Sequence, residues 1–314
     1  MVTVSFNIFL IAFVIVISLV ETCASYINVT VSGISSGAAM AVQLHMAYSK
    51  EISGCGILAG PPYLCAGNLT GVTKCMQGPV QNISALGILL ALESYASAGK
   101  IDSLLNIEND SVYIFSGTKD SVTLPSIVKL NEKIYSVLDA NIKTNYELPA
   151  THGFPTNNFG ESCDVLNTEN FINNCGFNTA YDVLNHLHGG QLIAPKSNST
   201  TPLVGQMIVF RQANFQNPPP SLSVGDISRK WFIGDTFITK TGYLEVAELN
   251  NLIVLFPQVA PTPSFPLNPM GCWDWWGANT PQYAIKIAPQ MLSIKQMIET
   301  VRLINGAIAA SVQQ

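Results

Sequence analysis

Charge is scarce in this chain. Asp, Glu, Lys and Arg make up 11% of its 314 residues, against roughly 25% in an average soluble domain. The 15 basic residues are outnumbered by 20 acidic ones, for a formal net charge of −5, and no run of like charge occurs. A nucleic-acid partner needs a basic stripe or patch and is excluded. Low-complexity tracts and internal repeats are absent, and 48% of the residues are hydrophobic, so disorder is excluded too. Histidine is rare, with four in the chain. No CxxC and no His/Cys pair at ligand spacing exists, so neither a metal nor another cofactor is expected.

Long apolar runs are missing, with one exception. Residues 8–20 are apolar apart from Ser18. A membrane-spanning helix needs about 20 such residues, and a run this short matches the core of a signal peptide. Thr22-Cys23-Ala24 puts small residues at the −3 and −1 positions, so cleavage is expected after Ala24, although residues 1–7 carry no Lys or Arg. The expected organisation is a signal peptide over 1–24 and a single catalytic domain over 25–314, secreted as a monomer and free of the membrane once the signal is cut.

Cysteine and asparagine usage agrees with an oxidising, secretory route. Cys55, Cys65, Cys75, Cys163, Cys175 and Cys272 remain after residue 24. An even count points to disulfides, although six cysteines allow 15 connectivities. Cys65 with Cys75 and Cys163 with Cys175 would close short loops, each adding about 2–3 kcal/mol on the chain-entropy account. Glycosylation sequons stand at Asn28, Asn68, Asn82, Asn109 and Asn198.

Strand and helix patterns alternate along the chain. Residues 26–32, 55–59, 111–116, 144–148, 206–210 and 252–256 read as strands, by alternation or short apolar runs. Residues 38–49, 85–105, 124–138, 181–188, 243–249 and 289–307 read as helices, the last with proline in its first turn. Residues 216–226 form a Pro- and Ser-rich loop. Such alternation implies an α/β fold with a mostly parallel sheet.

Gly33-Ile34-Ser35-Ser36-Gly37 lies between the first of those strands and the first helix. This is the nucleophile-elbow pattern G-x-S-x-G, in which a sharp turn projects the central serine outward. Ser35 is the candidate nucleophile. The N–H of Ser36, at the helix start, is a candidate oxyanion donor. A serine needs a base and an orienting acid. His45 is ten residues along the same helix, about 15 Å away at 1.5 Å per residue. His186 and His188 sit at a helix end. His152 and Asp120 each lie in a loop just past a strand, where active-site groups of parallel sheets gather. The order Ser35, Asp120, His152 is that of α/β-hydrolases. Fewer than ten residues of the expected mature chain precede the elbow, so the rest of the sheet must come from beyond residue 200, a circular permutation. Gly271-Cys-Trp-Asp-Trp-Trp-Gly277 holds Trp273, Trp275 and Trp276. Adjacent side chains cannot all face one core, so an exposed ring suited to an apolar substrate is expected.

VSGISSGAAMAVQLHMAYS (31–49), GILAGPPYLCAG (56–67), HGFPT (152–156), TGYLEVAELNNLIVLFPQ (241–258) and GCWDWWG (271–277) together resemble the extracellular poly(3-hydroxybutyrate) depolymerases of the single-domain, circularly permuted α/β-hydrolase type. The resemblance implies helices on both faces of the sheet and a secreted serine esterase acting on this polyester or its oligomers. It implies a triad of Ser35, Asp120 and His152, an oxyanion donor at Ser36, and a substrate-holding tryptophan among Trp273, Trp275 and Trp276. One departure stands out. The family carries two further strands between segments like QMIVF (206–210) and IGDTF (233–237), the second ending in a His-Gly-Cys motif that supplies the other oxyanion N–H and a partner for Cys272. That motif is absent, so the domain reads as incomplete near 226–230, with Cys272 free or paired with Cys55. Two other readings remain: a feruloyl- or acetylxylan-type carbohydrate esterase on the same scaffold, and a catalytically silent secreted binding protein.

Overall fold

The computed structural model describes residues 13–18, 28–196, 203–215, 234–264, 268 and 270–312. Its strands in chain order are β1 (Phe13–Ser18), β2 (Asn28–Ile34), β3 (Ile52–Leu58), β4 (Ser111–Phe115), β5 (Asn141–Asn145), β6 (Phe154–Thr156), β7 (Glu161–Ser162), β8 (Ile172–Asn174) and β9 (Leu252–Leu255). The helices are α1 (Ser36–Ala47), α2 (Val72–Gln77), α3 (Ala85–Ser97), α4 (Pro125–Val128), α5 (Leu130–Val137), α6 (Thr179–Leu187), α7 (Thr236–Lys240), α8 (Tyr243–Asn250) and α9 (Pro289–Val312).

Six strands form one sheet in the order β5-β4-β3-β2-β1-β9. The run β2 to β5 is parallel throughout. Alternate side chains of a strand point to opposite faces, and the chain uses that alternation to build two cores. Val29, Val31, Cys55, Ile57, Val112 and Ile114 go to one, under α1, α3, α5 and α9. Ile34, Leu58, Tyr113 and Phe115 go to the other, under α6, α7 and α8. The result is an α/β fold with a mostly parallel sheet and helices on both faces. Every residue of α1 is buried, which suits a helix rich in alanine and apolar on all sides. A small three-stranded sheet, β6-β8-β7, hangs beside the main one.

The apolar run expected to be the core of a signal peptide supplies an inner strand. β1 pairs antiparallel with β2, Phe13 opposite Gly33 and Ile15 opposite Val31. Its other edge pairs with β9, Ile15 opposite Leu255. Val14 and Ile15 are fully buried, one in each core. The expected cleavage point after Ala24 lies outside the described residues, in the connection from β1 to β2. No helix among the described residues is long and apolar enough to cross a membrane.

Some secondary-structure expectations need correction. Residues 206–210 are not a strand, and Met207, Ile208 and Val209 are exposed. A strand requires a neighbour to take its backbone hydrogen bonds, and no described strand flanks this segment. The strand expected at 144–148 lies earlier, at β5, which is polar and has no strand on its outer edge among the described residues, so hydropathy does not mark it. The helix expected over 124–138 is split at Lys129 into α4 and α5. The loop 216–226 lies outside the described residues, as does the junction near 226–230.

Both short disulfides, Cys65–Cys75 and Cys163–Cys175, are formed. Cys272 does not pair with Cys55, and both thiols are free. Cys55 is sealed in β3, while Cys272 lies against Ser36. Of the sequons, Asn68, Asn82 and Asn109 are exposed, Asn28 is half-buried and accepts a hydrogen bond from Ser53, and Asn198 is outside the described residues.

In the chain carrying residues 13–18, Ile15→Asp places a carboxylate between β2 and β9. It is expected to destabilise the fold by about 4 kcal/mol or more, whereas Ile15→Val costs about 1 kcal/mol. Thermal melting of the two variants reads the difference, and equal melting temperatures would contradict the inner-strand placement.

Candidate active site

The turn from β2 into α1 takes one residue. Ser35 has φ 57° and ψ −119°, a left-handed conformation that strains a side-chain-bearing residue by about 1–3 kcal/mol. Backbone bonds hold it there: Ser35 N–H donates to Leu58 O at 2.8 Å, and Ala39 N–H donates to Ser35 O at 3.0 Å. The flanking glycines make the turn sterically possible. A Cβ on Gly33 would lie 2.4 Å from the carbonyl carbon of Gly37. Ser36 opens α1, so its N–H is among the first-turn donors without an intrahelical acceptor. No acidic residue sits in that first turn, so the helix end favours negative charge.

Asp120 follows β4. Its Oδ1 accepts the N–H groups of Val122 and Thr123, both at 2.9 Å, and its Oδ2 is 2.9 Å from His152 Nδ1. Both side chains are almost completely buried. The loops carrying them touch through backbone: Thr118 N–H donates to Leu148 O and Lys119 N–H to Ala150 O. Gly117 permits that approach, since a Cβ there would meet Ala150 O at 2.1 Å. The His152 loop is also tied to the Cys163–Cys175 loop. Thr151 N–H donates to Cys163 O, Phe154 N–H donates to Phe171 O, and the Phe171 ring stands edge-on to the imidazole at 6.2 Å.

The structure therefore joins Asp120 to His152 and sets Ser35 at the same end of the sheet, two strands from Asp120. Ser35 and His152 are not hydrogen-bonded to each other. With Nδ1 committed to Asp120, the imidazole has Nε2 left to exchange a proton. The other three histidines are engaged elsewhere. His45 is sandwiched between Tyr135 and Asp110, each at 3.0 Å. His186 Nε2 donates to Asn141 O, and His188 Nε2 meets Thr30 Oγ1.

The three tryptophans separate clearly. Trp273 and Trp275 are buried at 1% and 7% exposure, and Trp276 alone is half-exposed, edge-to-face with Trp275 at 5.9 Å. Trp273 N–H donates to Ser36 Oγ at 3.1 Å, so this segment sits directly on the residue after the candidate nucleophile. The Cys272 thiol also contacts Ser36, and burial pushes its pKa up to about 11, keeping it protonated at neutral pH. Sequence reasoning did not find Gln43 and Gln290, which also hold this segment. They lie in ordinary helices, and no local pattern marks them. A cavity of about 460 Å³ beside the Cys65–Cys75 bridge is lined by Lys74, Asn82, Tyr95 and Tyr283. It includes none of Ser35, Asp120 or His152. No cluster able to hold a metal ion exists among the described residues.

Comparison with known proteins finds similar sequences and similar folds. The chain is 33% identical over 301 residues to a poly(3-hydroxybutyrate) depolymerase of Delftia acidovorans, covering 87% of this chain and 59% of that protein. It is 29% identical over 311 residues to a polyhydroxybutyrate depolymerase of Talaromyces funiculosus, covering 86% of this chain and 89% of the relative. The chain is similar in sequence and in fold to the poly(3-hydroxybutyrate) depolymerases. Among solved structures, the PHB depolymerase from Penicillium funiculosum matches with TM-score 0.70 and 28% identity, over 84% of this chain and 92% of that one. A PHB depolymerase complexed with an R3HB trimer matches with TM-score 0.69 and 27% identity, over the same shares. No family model matches the chain. As a depolymerase homologue it is related to ester hydrolases, and it spans well under two thirds of the Delftia relative's length.

Burial lowers the pKa of His188 from 6.5 to about 4, so the folded state favours its neutral form. That contribution to stability is present above pH 6.5 and is lost as the pH falls toward 4. His188→Gln is therefore expected to flatten the dependence of melting temperature on pH across that window. An unchanged slope would show that His188 is not its source.

Proposed function

We propose that this chain is a secreted serine esterase that hydrolyses ester bonds of poly(3-hydroxybutyrate) or its oligomers. The observation that carries the reading is the buried Asp120–His152 pair, 2.9 Å apart, at the same end of the sheet as the strained Ser35 elbow, in a chain similar to these depolymerases. Two disulfides and three exposed sequons support an extracellular working place.

The chemistry follows from the groups present. Ser35 Oγ attacks the ester carbonyl as His152 Nε2 takes its proton. Asp120 keeps Nδ1 protonated and stabilises the imidazolium. The oxyanion develops at the start of α1, where the Ser36 N–H is the proposed donor. His152 returns the proton to the leaving hydroxyl, and water repeats the sequence on the acyl-enzyme. The hydrogen bond between Ser35 and His152 is completed when substrate enters, as catalytic bonds often are. The half-exposed Trp276 offers an apolar face to the polyester.

Two observations favour a second reading. Ser35 and His152 are unbonded, and the His-Gly-Cys segment that resembles the family's other oxyanion donor is absent. Loss of one such donor costs about 100- to 1000-fold in rate. A catalytically silent binding protein would have these properties.

A fluorophosphonate probe separates the two readings. The esterase is expected to be modified at Ser35, as read by peptide mass, and Ser35→Ala is expected to lower kcat on hydroxybutyrate oligomers by about 10⁴-fold or more. A folded chain that binds polymer and stays unlabelled would establish the silent reading.

A further inference from the structure

Asp274 sits inside the tryptophan segment and is 3% exposed. No salt bridge among the described residues involves it, and burial pushes its carboxyl above the usual carboxylate range. A buried carboxylate without a cation is destabilising unless its oxygens are well occupied. Here they are, by the chain's own backbone. Oδ1 accepts Gly277 N–H at 2.8 Å and Ala278 N–H at 2.9 Å. Oδ2 accepts Asn279 N–H at 3.0 Å. Residues 274–279 are thus folded back around the Asp274 side chain, with Trp276 between the two ends of the turn.

The backbone of Asp274 is gripped as firmly. Its N–H donates to Gln290 Oε1 on α9 at 2.9 Å, and its carbonyl accepts Gln43 Nε2 on α1 at 3.1 Å. One residue earlier, Trp273 N–H donates to Ser36 Oγ at 3.1 Å. Ser36 and Gln43 are seven residues apart on α1, so they lie on one face, two turns from each other. The helix that begins at the candidate nucleophile therefore clamps the tryptophan segment at two points. Gln43 and Gln290 are themselves almost fully buried.

From these contacts we propose that Asp274 is a positioning residue. It shapes the turn that presents Trp276, and the clamp from α1 fixes that ring relative to Ser35. Trp273 and Trp275 anchor the segment in the core, and Trp276 is the ring left to meet a chain-like substrate. A fixed spacing between ring and nucleophile determines which ester carbonyl of a bound chain lies over Ser35. This inference rests on the esterase reading above, because Asp274 touches no reacting atom and acts through Trp276.

The test uses the full chain and two substrates: a 3-hydroxybutyrate trimer, whose chain extends well beyond the reacting ester, and p-nitrophenyl butyrate, a single short ester. Trp276→Ala is expected to raise KM for the trimer about tenfold, with a clearly smaller loss of kcat/KM on the small ester. Asp274→Asn keeps an acceptor for Gly277 and Ala278 but turns an NH₂ toward Asn279, and is expected to show the same split to a smaller degree. Asp274→Ala removes all three acceptor contacts and is expected to match Trp276→Ala. In the Trp276→Ala background, Asp274→Asn should add nothing, because the residue acts only through that ring.

Additive effects of the two substitutions would overturn the proposal, and so would equal losses on both substrates, the mark of a general folding defect. A Trp276 effect on the trimer without any Asp274 effect would overturn the positioning role while leaving the esterase reading intact. Trimer and small-ester rates at the uncatalysed level in the unsubstituted chain would remove the esterase reading itself, and the positioning role with it. Where Asp274→Ala fails to fold, Asp274→Asn and the double variant carry the decision.

Discussion

The chain turns from β2 into α1 within one residue, and the contact between Gly33 and Gly37 that makes this possible governs what surrounds it. Strand and helix approach so closely that α1 must be small-sided and sealed, as its run of alanines is. The strain held at Ser35 persists because neighbours on three sides over-determine it: Leu58 accepts its N–H, Ala39 bonds its carbonyl, and the twelve residues of α1 are all buried. Nothing in that arrangement can relax without moving the helix. The same rigidity makes α1 a reference point for more distant parts, since Ser36 and Gln43 reach out from it to a segment over 200 residues later.

The partners of Ser35 are held by different means. Asp120 and His152 sit in loops, and their order comes from backbone-to-backbone ties between those loops and from the Cys163–Cys175 bridge behind them. Buried together, they interact in a medium of lower effective dielectric than water, where a charge-assisted hydrogen bond is stronger. The proposed acid–base pair is thus pre-assembled, and the candidate nucleophile is held in a strained backbone conformation. The gap between Ser35 and His152 is the one link in the relay without a hydrogen bond, and the proposed reaction asks the substrate to complete it.

Much of this was readable from the sequence. The elbow is local: two glycines, a strand before, a small-sided helix after. Asp120 and His152 could be found because each closely follows a strand-like run, and because the alternatives to His152 were only three. Loop-closing cysteines close in sequence paired as expected. What sequence could not give depended on neighbours. Residues 206–210 have a strand's composition and no strand to pair with. β5 is a polar edge strand that hydropathy passes over. Which of three tryptophans reaches solvent depends on how their segment is held, and Gln43 and Gln290, which bond the Asp274 backbone, are remote in sequence and unremarkable in their own helices. The pairing of Cys272 with Cys55, left open by counting, fails because each thiol is enclosed by a different set of neighbours.

β1 carries a consequence for the order in which this chain matures. A strand bonded along both edges has few backbone groups to spare, and Val14 and Ile15 are buried one in each core, so in the folded sheet the strand is hidden from an outside receptor. The same residues, in an unfolded chain, are a hydrophobic stretch open to recognition. Those two fates exclude each other. A chain that folds early conceals the stretch. A chain cut after Ala24 before folding leaves β2 and β9 each short of a neighbour. If the segment is also read as a signal, folding and export draw on a single strand, and the order of the two decides which sheet is built.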